Sequence, residues 1–133
     1  MKQYLLDTDT CIYALKHERG VLGRMLAKPR ESVHLSVVTE SELRFGVAKS
    51  RSASRALPRL ESFLRPLQVL EYGSDDAIAY ARIRAHLERS GKPIGPLDTL
   101  IAAHAVARGL ILVTNNQREF TRVPGLDVDN WAD

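Results

Sequence analysis

The feature that most limits the fold of this 133-residue chain is a short apolar run that ends in acidic and hydroxyl residues. Tyr4–Leu6 is apolar, and Asp7, Thr8, Asp9 and Thr10 follow it directly. This order predicts a buried strand that ends at a loop, followed by the start of a helix. In an open parallel sheet, ligands gather at the carboxyl ends of the strands. Asp7 is therefore a candidate site residue, although a helix cap would occupy the same position.

Similar apolar runs recur along the chain and alternate with helical patterns. Val33–Val38, Leu67–Leu70 and Leu110–Val113 are strand candidates, and Leu126–Trp131 would add an edge strand. Alternating strands and helices predict an α/β fold with a parallel sheet. We expect one domain, residues 1–133, because the chain has no internal repeat and no linker long enough to separate two domains.

Composition narrows the class of protein. The hydrophobic fraction of 44% and the charged fraction of 26% are those of an ordinary globular domain. No apolar run approaches the ~20 residues that span a membrane, and no signal-peptide core precedes Asp7. The single cysteine, Cys11, excludes an internal disulfide and is expected to pack in the core, so we expect a cytoplasmic protein.

The net charge of +3 permits nucleic-acid binding without requiring it. Basic residues crowd two stretches, 49–59 and 82–92. They are candidate contacts to a nucleic-acid backbone, although solvated helix faces would show the same pattern. The four histidines are scattered and lack the spacing of zinc ligands.

Three acids from distant segments lie after the ends of predicted strands or near the start of a predicted helix. Asp7 follows the first strand, Glu42 comes shortly after the second, and Asp98 stands early in a helix. Asn116 adds a polar side chain after the fourth strand. Carboxylates that meet at one sheet edge repel each other unless a cation neutralises them or they share a proton. Oxygen ligands without Cys or His select Mg²⁺ or Mn²⁺, which suits phosphoryl chemistry.

Each acid also has a purely structural alternative. Thr39 and Glu42 fit a Ser/Thr-x-x-Glu capping box, which would make Glu42 part of a cap. Asp98 falls in a first helical turn, where the helix dipole favours negative charge. Asp9 is expected mainly to belong to the first helix start. His104 faces elsewhere on the helix that carries Asp98, and we expect it in the core or at the surface.

Four motifs stand in order along the chain. They are Leu5-Leu6-Asp7-Thr8-Asp9, then Val38-Thr39-Glu40-Ser41-Glu42-Leu43 through Gly46, then Gly95-Pro96-Leu97-Asp98-Thr99-Leu100-Ile101-Ala102, and last Leu112-Val113-Thr114-Asn115-Asn116 with Arg118-Glu119-Phe120. Together they resemble the motifs of PIN-domain ribonucleases, most closely the VapC toxins of bacterial VapBC toxin–antitoxin pairs. The resemblance covers nearly the whole chain. It implies a PIN-like three-layer α/β fold, with a central, mostly parallel sheet of four or five strands flanked by helices.

The resemblance also implies a catalytic set of Asp7, Glu42, Asp98 and Asn116. In this set Asp7 and Asp98 would ligate Mg²⁺, with Mn²⁺ as an alternative. Glu42 would ligate through water or orient the nucleophile. Many PIN domains carry a fourth acid where this chain has Asn116, and that difference leaves the number of metals open.

Further residues in the motifs are implied to have supporting roles. Thr8 and Thr114, together with Asn116, would position the ligands or the phosphate. Glu119 is a candidate for the charge that Asn116 does not supply, although a solvated surface position would suit it equally.

The activity implied by the resemblance is that of a toxin in which a metal-activated water attacks a backbone phosphate of RNA. Members of the family usually cleave structured RNA, often tRNA in the anticodon region. A cognate VapB-type antitoxin inhibits them by filling the active-site groove with its C-terminal segment. Homodimers are usual, and contact with DNA is expected only indirectly, through the antitoxin.

Two alternatives remain open at this point. Asp7-Thr8-Asp9 superficially resembles the Asp-x-Asp motif of haloacid-dehalogenase-like phosphatases, in which the first Asp is a nucleophile. No paired acids follow the last strand, where that family places metal ligands. Asn116 motivates the second alternative, a catalytically decayed module that binds RNA or a partner. The three acids that the chain retains argue against it.

Overall fold

The computed structural model describes all 133 residues and alternates five strands with seven α-helices. The strands are β1 Tyr4–Leu6, β2 Val33–Ser36, β3 Gln68–Leu70, β4 Ile111–Val113 and β5 Val128–Asp129. The helices are α1 Thr8–Leu15, α2 Val21–Leu26, α3 Val37–Ala48, α4 Ala53–Leu64, α5 Ser74–Arg89, α6 Pro96–Arg108 and α7 Gln117–Phe120. None of these helices is long and apolar enough to cross a membrane.

All five strands run parallel in one sheet, in the order β3-β2-β1-β4-β5. The predicted α/β fold is therefore confirmed, with the upper of the two expected strand numbers. The first strand of the chain is the central one. Leu6 pairs with Leu35 of β2 and with Val113 of β4, so β1 and β4 end level with each other and β2 ends one residue further on. Residues that follow these strands must leave the sheet at one edge.

The apolar run of β1 is buried on both faces of the sheet. Tyr4 and Leu6 join a core cluster with residues of α1, α2, α3 and α4, whereas Leu5 joins a second cluster with residues of α5 and α6. Alternate residues of a strand point to opposite faces, so both faces of this central strand need apolar side chains. The result is three layers, helices over sheet over helices. Cys11 is fully buried in the first cluster, as predicted.

The second strand ends two residues earlier than its β-branched sequence predicts. Val37 and Val38 belong to α3, because Ser36 caps that helix: its hydroxyl accepts a hydrogen bond from the Val38 amide at 3.1 Å. Thr39 is consequently the third residue of the helix and is buried, and Glu42 lies in the second turn. The capping-box interpretation of Glu42 is wrong, which leaves its carboxylate available for another role.

Candidate active site

Asp7 is both a helix cap and a buried carboxylate at the sheet edge. Its Oδ1 accepts a hydrogen bond from the Thr8 amide at 2.9 Å, at the start of α1. Its Oδ2 accepts a hydrogen bond from the hydroxyl of Thr114 at 2.7 Å, and Thr114 directly follows β4. The side chain is only 5% exposed. The two alternatives for this residue are therefore compatible, because one oxygen makes the cap while the other faces the neighbouring strand end.

Asp9 lies at the same edge, which the sequence interpretation missed. Its Oδ2 accepts a hydrogen bond from the backbone amide of Asn115 at 3.1 Å, and the Thr10 hydroxyl lies 3.2 Å from its Oδ1. Asp9 belongs to the first turn of α1, as predicted, but its side chain reaches across to the loop after β4. The sequence does contain one indication that Asp9 lies at this edge. Asp7 and Asp9 are two residues apart around a helix start, and acids at this spacing can both reach one edge of the sheet.

Glu42 is held by α1 rather than by its own helix. The Thr8 hydroxyl donates a hydrogen bond to Glu42 Oε1 at 2.7 Å and lies 3.2 Å from the hydroxyl of Thr39. Thr8 therefore joins the first turn of α1 to α3. This contact gives Thr8 a defined structural partner at the acidic edge.

Asp98 is the third residue of α6, and no protein group donates a hydrogen bond to its carboxylate. Asp76 has the same position in α5, and there the carboxylate accepts a hydrogen bond from the Gly73 amide at 2.8 Å. Asp98 makes no such bond to Gly95. A Cβ atom on Gly95 would lie 3.3 Å from Asp98 Oδ2, so the carboxylate lies close over that glycine. Asp98 is thus half-buried, with free oxygens.

Burial and the charge of a neighbour leave Asp7 only about half ionised near pH 7. Burial raises its pKa first, and the negative charge of Asp9 raises it further. Hydrogen bonds from Thr114 and Thr8 oppose the shift, and the charge of Asp98 adds to it. The resulting pKa is about 7. A cation bound nearby would favour the ionised form of this carboxyl group and lower its pKa.

The pKa of Asp98 is raised as well, to about 6. Burial is the largest cause, followed by the charges of Glu119, Glu42 and Asp9. Five carboxylates from four segments of the chain therefore influence one another. They are Asp7, Asp9, Glu42, Asp98 and Glu119. Glu119 is one of the five, so the structure places it within electrostatic range of Asp98.

Asn116 contributes to this edge through its backbone. Its amide donates a hydrogen bond of 2.9 Å to the Thr114 hydroxyl, the same hydroxyl that donates to Asp7. Asn116 stands at the N-cap of α7, and its side chain makes no hydrogen bond with the protein. The amide side chain is therefore available to a ligand, and it adds no charge to the carboxylates around it.

The chemistry of this edge fits a hard divalent cation. Its charged groups are carboxylates, without Cys or His, and their mutual repulsion is relieved by positive charge. The side chains do not, as they stand, form a closed coordination cluster: no three of the His, Cys, Asp or Glu residues are gathered tightly enough to hold one ion. Binding would therefore draw the carboxylates inward and rely on water and substrate oxygens, as is usual for Mg²⁺.

A long groove borders the acids on the side of Thr8 and Glu42. It encloses about 1120 Å³, and 9 of its 16 lining residues are hydrophobic. Three large apolar side chains along it are exposed: Ile12 by 37%, Phe45 by 64% and Leu97 by 45%. Exposed apolar side chains that gather in one groove indicate a surface for a protein partner.

Comparison with known proteins places these motifs in context. The model of the PIN domain family matches residues 4–126. Over 132 residues the chain is 40% identical to the tRNA(fMet)-specific endonuclease VapC of Salmonella typhimurium, a match that covers 99% of this chain and 100% of the relative. It is 36% identical over 130 residues to ribonuclease VapC2 of Rickettsia felis, covering 96% and 97% of the two chains.

Solved structures give the same result. The fold matches a chain of the DNA-bound VapBC complex from Salmonella typhimurium with a TM-score of 0.93 and 41% identity, over 99% of this chain and 100% of that one. It matches a chain of VapBC2 from Rickettsia felis, bound to a promoter DNA fragment, with a TM-score of 0.90 and 34% identity over 96% and 98% of the two chains.

Proposed function

Because the chain belongs to the PIN-domain family and, within it, to the VapC ribonucleases, we propose that it is the toxin of a toxin–antitoxin pair that cleaves tRNA in the anticodon region. The observation that carries the proposal is the set of carboxylates brought to one sheet edge, with the pKa of Asp7 raised to about 7 and that of Asp98 to about 6. The name of the Salmonella relative, a tRNA(fMet)-specific endonuclease, supports tRNA as the substrate class.

We assign a divalent cation, Mg²⁺ in the cell, to Asp7 and Asp98. When bound, the cation supplies a water of lowered pKa and neutralises charge on the phosphate. Thr114 fixes Asp7 by its 2.7 Å hydrogen bond, and Thr8 fixes Glu42 by a bond of the same length. Glu42 is thereby positioned to orient the attacking water. The free side chain of Asn116 is positioned to donate a hydrogen bond to a phosphate oxygen.

We propose that the apolar groove beside Thr8 and Glu42 takes a segment of a VapB-type antitoxin. The exposed side chains of Ile12, Phe45 and Leu97 would be covered by it. The matching solved structures from Salmonella typhimurium and Rickettsia felis are VapBC complexes bound to DNA, which supports a DNA contact made through the antitoxin. We further propose a homodimer located in the cytoplasm, where tRNA is found.

Cleavage of tRNA by Asp98→Asn tests the proposal. Because Asp98 has free oxygens in the site, its neutral variant should cut tRNA at least about a hundredfold more slowly in saturating Mg²⁺. Asp75→Asn is the matched control: Asp75 is an exposed acid in the first turn of α5, and its loss should leave the rate unchanged. Sequencing of the cut RNA ends would identify the position. Cleavage by Asp98→Asn at the wild-type rate would disprove the assignment.

The two other functions considered from the sequence are not favoured. Family membership argues against a haloacid-dehalogenase-like phosphatase, and a covalent phosphate trapped on Asp7 is the result that would revive it. The decayed-module alternative rested on the neutral Asn116. Glu119 stands within electrostatic range of Asp98, which supports an acidic site without an acid at position 116.

A further inference from the structure

We propose that a basic depression formed by Lys92, Arg118 and Arg122 binds the sugar-phosphate backbone of the RNA next to the scissile bond. This inference rests on the proposed ribonuclease function and specifies where its substrate lies. From the sequence, contacts to the nucleic-acid backbone are expected in the stretches 49–59 and 82–92. The depression uses only the end of the second stretch and adds two arginines near the C-terminus.

The depression is lined mainly by cationic side chains. It encloses about 540 Å³, and none of its five lining residues is hydrophobic; they are Gly91, Lys92, Pro93, Arg118 and Arg122. None of the three cations forms an ion pair with a carboxylate of the protein. The only side-chain hydrogen bond among them runs from Arg122 Nη1 to the Pro93 carbonyl at 3.3 Å. Three like charges in one depression repel each other, and a polyanion would relieve that repulsion.

The position of the depression connects it to the acids. Lys92 and Pro93 belong to the loop that leads through Gly95 into α6, where Asp98 is the third residue. Arg118 lies in α7 next to Glu119, whose charge raises the pKa of Asp98. Both walls of the depression therefore run directly into the segments that carry the acids. A backbone bound here would bring its next phosphates to the acidic edge.

The chemistry of the lining indicates which part of RNA it recognises. Arginine and lysine bind phosphate oxygens, whereas unstacked bases are usually held on aromatic side chains, and the depression has none. Binding at this surface should therefore be independent of base sequence. The depression shares no lining residue with the apolar groove, so RNA backbone and antitoxin segment would use different surfaces beside one site.

Binding of bulk bacterial tRNA, measured in EDTA so that no cleavage occurs, tests the inference. The double variant Arg118→Ala/Arg122→Ala should bind at least about fivefold more weakly than wild type at 0.1 M salt. The slope of log affinity against log salt should fall by about 1.5, since each lost phosphate contact removes roughly 0.7 to 0.9. The conservative double variant Arg118→Lys/Arg122→Lys keeps the charge and should retain most of the slope.

The matched control is Arg55→Ala/Arg59→Ala, which removes the same charge from exposed positions on α4. It should bind tRNA as the wild type does. Equal weakening by both double variants would mean that net charge alone matters and would overturn the proposal, as would wild-type binding by the Arg118 and Arg122 variant. If that variant fails to fold, Lys92→Ala replaces it, because the Lys92 side chain makes no hydrogen bond or ion pair with the protein.

This experiment separates the two proposals. Failure of wild-type protein to cleave any tRNA would overturn the proposed function, and the binding measurement would still report on the depression. Normal cleavage with unaltered binding in the Arg118 and Arg122 variant would overturn the depression alone.

Discussion

At the scale of single residues, the negative charge of buried Asp7 lowers the stability of the folded protein. Asp7 has an ordinary pKa of 3.8 when unfolded and about 7 in the folded, metal-free protein. A folded pKa above the unfolded value means that the native state binds the extra proton. The stability from this group is therefore present at acid pH and is lost as pH rises towards 7. Replacing Asp7 with a neutral residue should prevent this loss of folding stability as the pH rises.

Asp7→Asn should accordingly be more heat-stable than wild type at pH 8 in EDTA, while its cleavage of tRNA is lost. The gain should shrink at pH 5, where wild-type Asp7 is itself mostly protonated. Thermal unfolding of both proteins at the two pH values measures the difference. An identical difference at pH 5 and pH 8 would contradict the raised pKa.

Proton release should also control the affinity for metal. Asp7, with a pKa of about 7, and Asp98, with a pKa of about 6, must both be ionised to bind a cation. The Mg²⁺ concentration that gives half-maximal cleavage should therefore fall as pH rises from 5.5 to 8. Titration of Mg²⁺ at a series of pH values checks this, and a half-maximal concentration that is constant with pH would exclude it.

Gly95 is expected to support cleavage because the absence of a side chain there leaves room for the Asp98 carboxylate. Gly95→Ala would place a Cβ 3.3 Å from Asp98 Oδ2, so the carboxylate would have to move. The φ of −56° is accessible to alanine, so backbone strain does not confuse the result. We expect roughly tenfold slower cleavage with little change in unfolding temperature. Gly73→Ala is the control, since its Cβ would meet Asp76 at an ordinary 3.9 Å.

At the scale of elements, a buried polar chain joins three of them behind the site. His104 of α6 places Nδ1 2.9 Å from the hydroxyl of Ser36, which caps α3, and Nε2 3.8 Å from Asp76 of α5, a separation too long for a hydrogen bond. All three side chains are fully buried. Burial alone would raise the pKa of Asp76, but hydrogen bonds from Arg108 and the Gly73 amide outweigh it, so the pKa lies below its usual value. Burial lowers the pKa of His104, which favours the neutral ring.

His104→Ala should therefore destabilise the fold by about 2 to 4 kcal/mol, because it opens a cavity in the core and removes the buried hydrogen bond between the imidazole ring and the Ser36 hydroxyl. Urea unfolding measures the change. His86→Ala, at an exposed position on α5, is the matched control and should change stability by less than about 0.5 kcal/mol. A loss of similar size in both variants would show that the buried chain contributes nothing specific.

The same elements show why part of the sequence interpretation failed. Val33–Val38 has the composition of one strand, but the fold uses Ser36 to end it and start α3. Composition measures preference for a conformation, whereas a cap depends on one hydroxyl whose geometry only the folded chain fixes. Once α3 starts at Val37, Glu42 moves from a capping position to a turn that faces α1. Because β2 ends two residues earlier than predicted, Glu42 accepts a hydrogen bond from Thr8 instead of capping its own helix.

At the scale of the whole molecule, the sequence was sufficient for the layers and the sheet edge but not for contacts across segments. Periodicity and the four motifs predicted the parallel sheet and the acids at strand ends. The reach of Asp9 to Asn115, and the depression between Lys92 and Arg118, depend on how distant loops pack. No local pattern encodes such packing, so these features became visible only in the folded chain.

Because the acids come from several elements, a cation that binds them should stabilise the entire fold. Ligands that bind only the native state raise the unfolding temperature in proportion to the logarithm of their concentration. We expect Mg²⁺ to raise the unfolding temperature of wild type at pH 8, and to raise that of Asp98→Asn far less. Differential scanning calorimetry with and without Mg²⁺ makes the comparison, and equal shifts in both proteins would place the cation elsewhere.

The central position of β1 has a consequence for the timing of toxicity. Its neighbour β4 is not made until residues 111–113, and the hydroxyl that holds Asp7 belongs to Thr114. A ribosome must therefore translate most of the 133 residues before the first strand of the chain has both of its partners. An unfinished chain lacks the assembled edge altogether. Under the proposed function, this order of synthesis delays assembly of the acidic edge until most of the chain has been made.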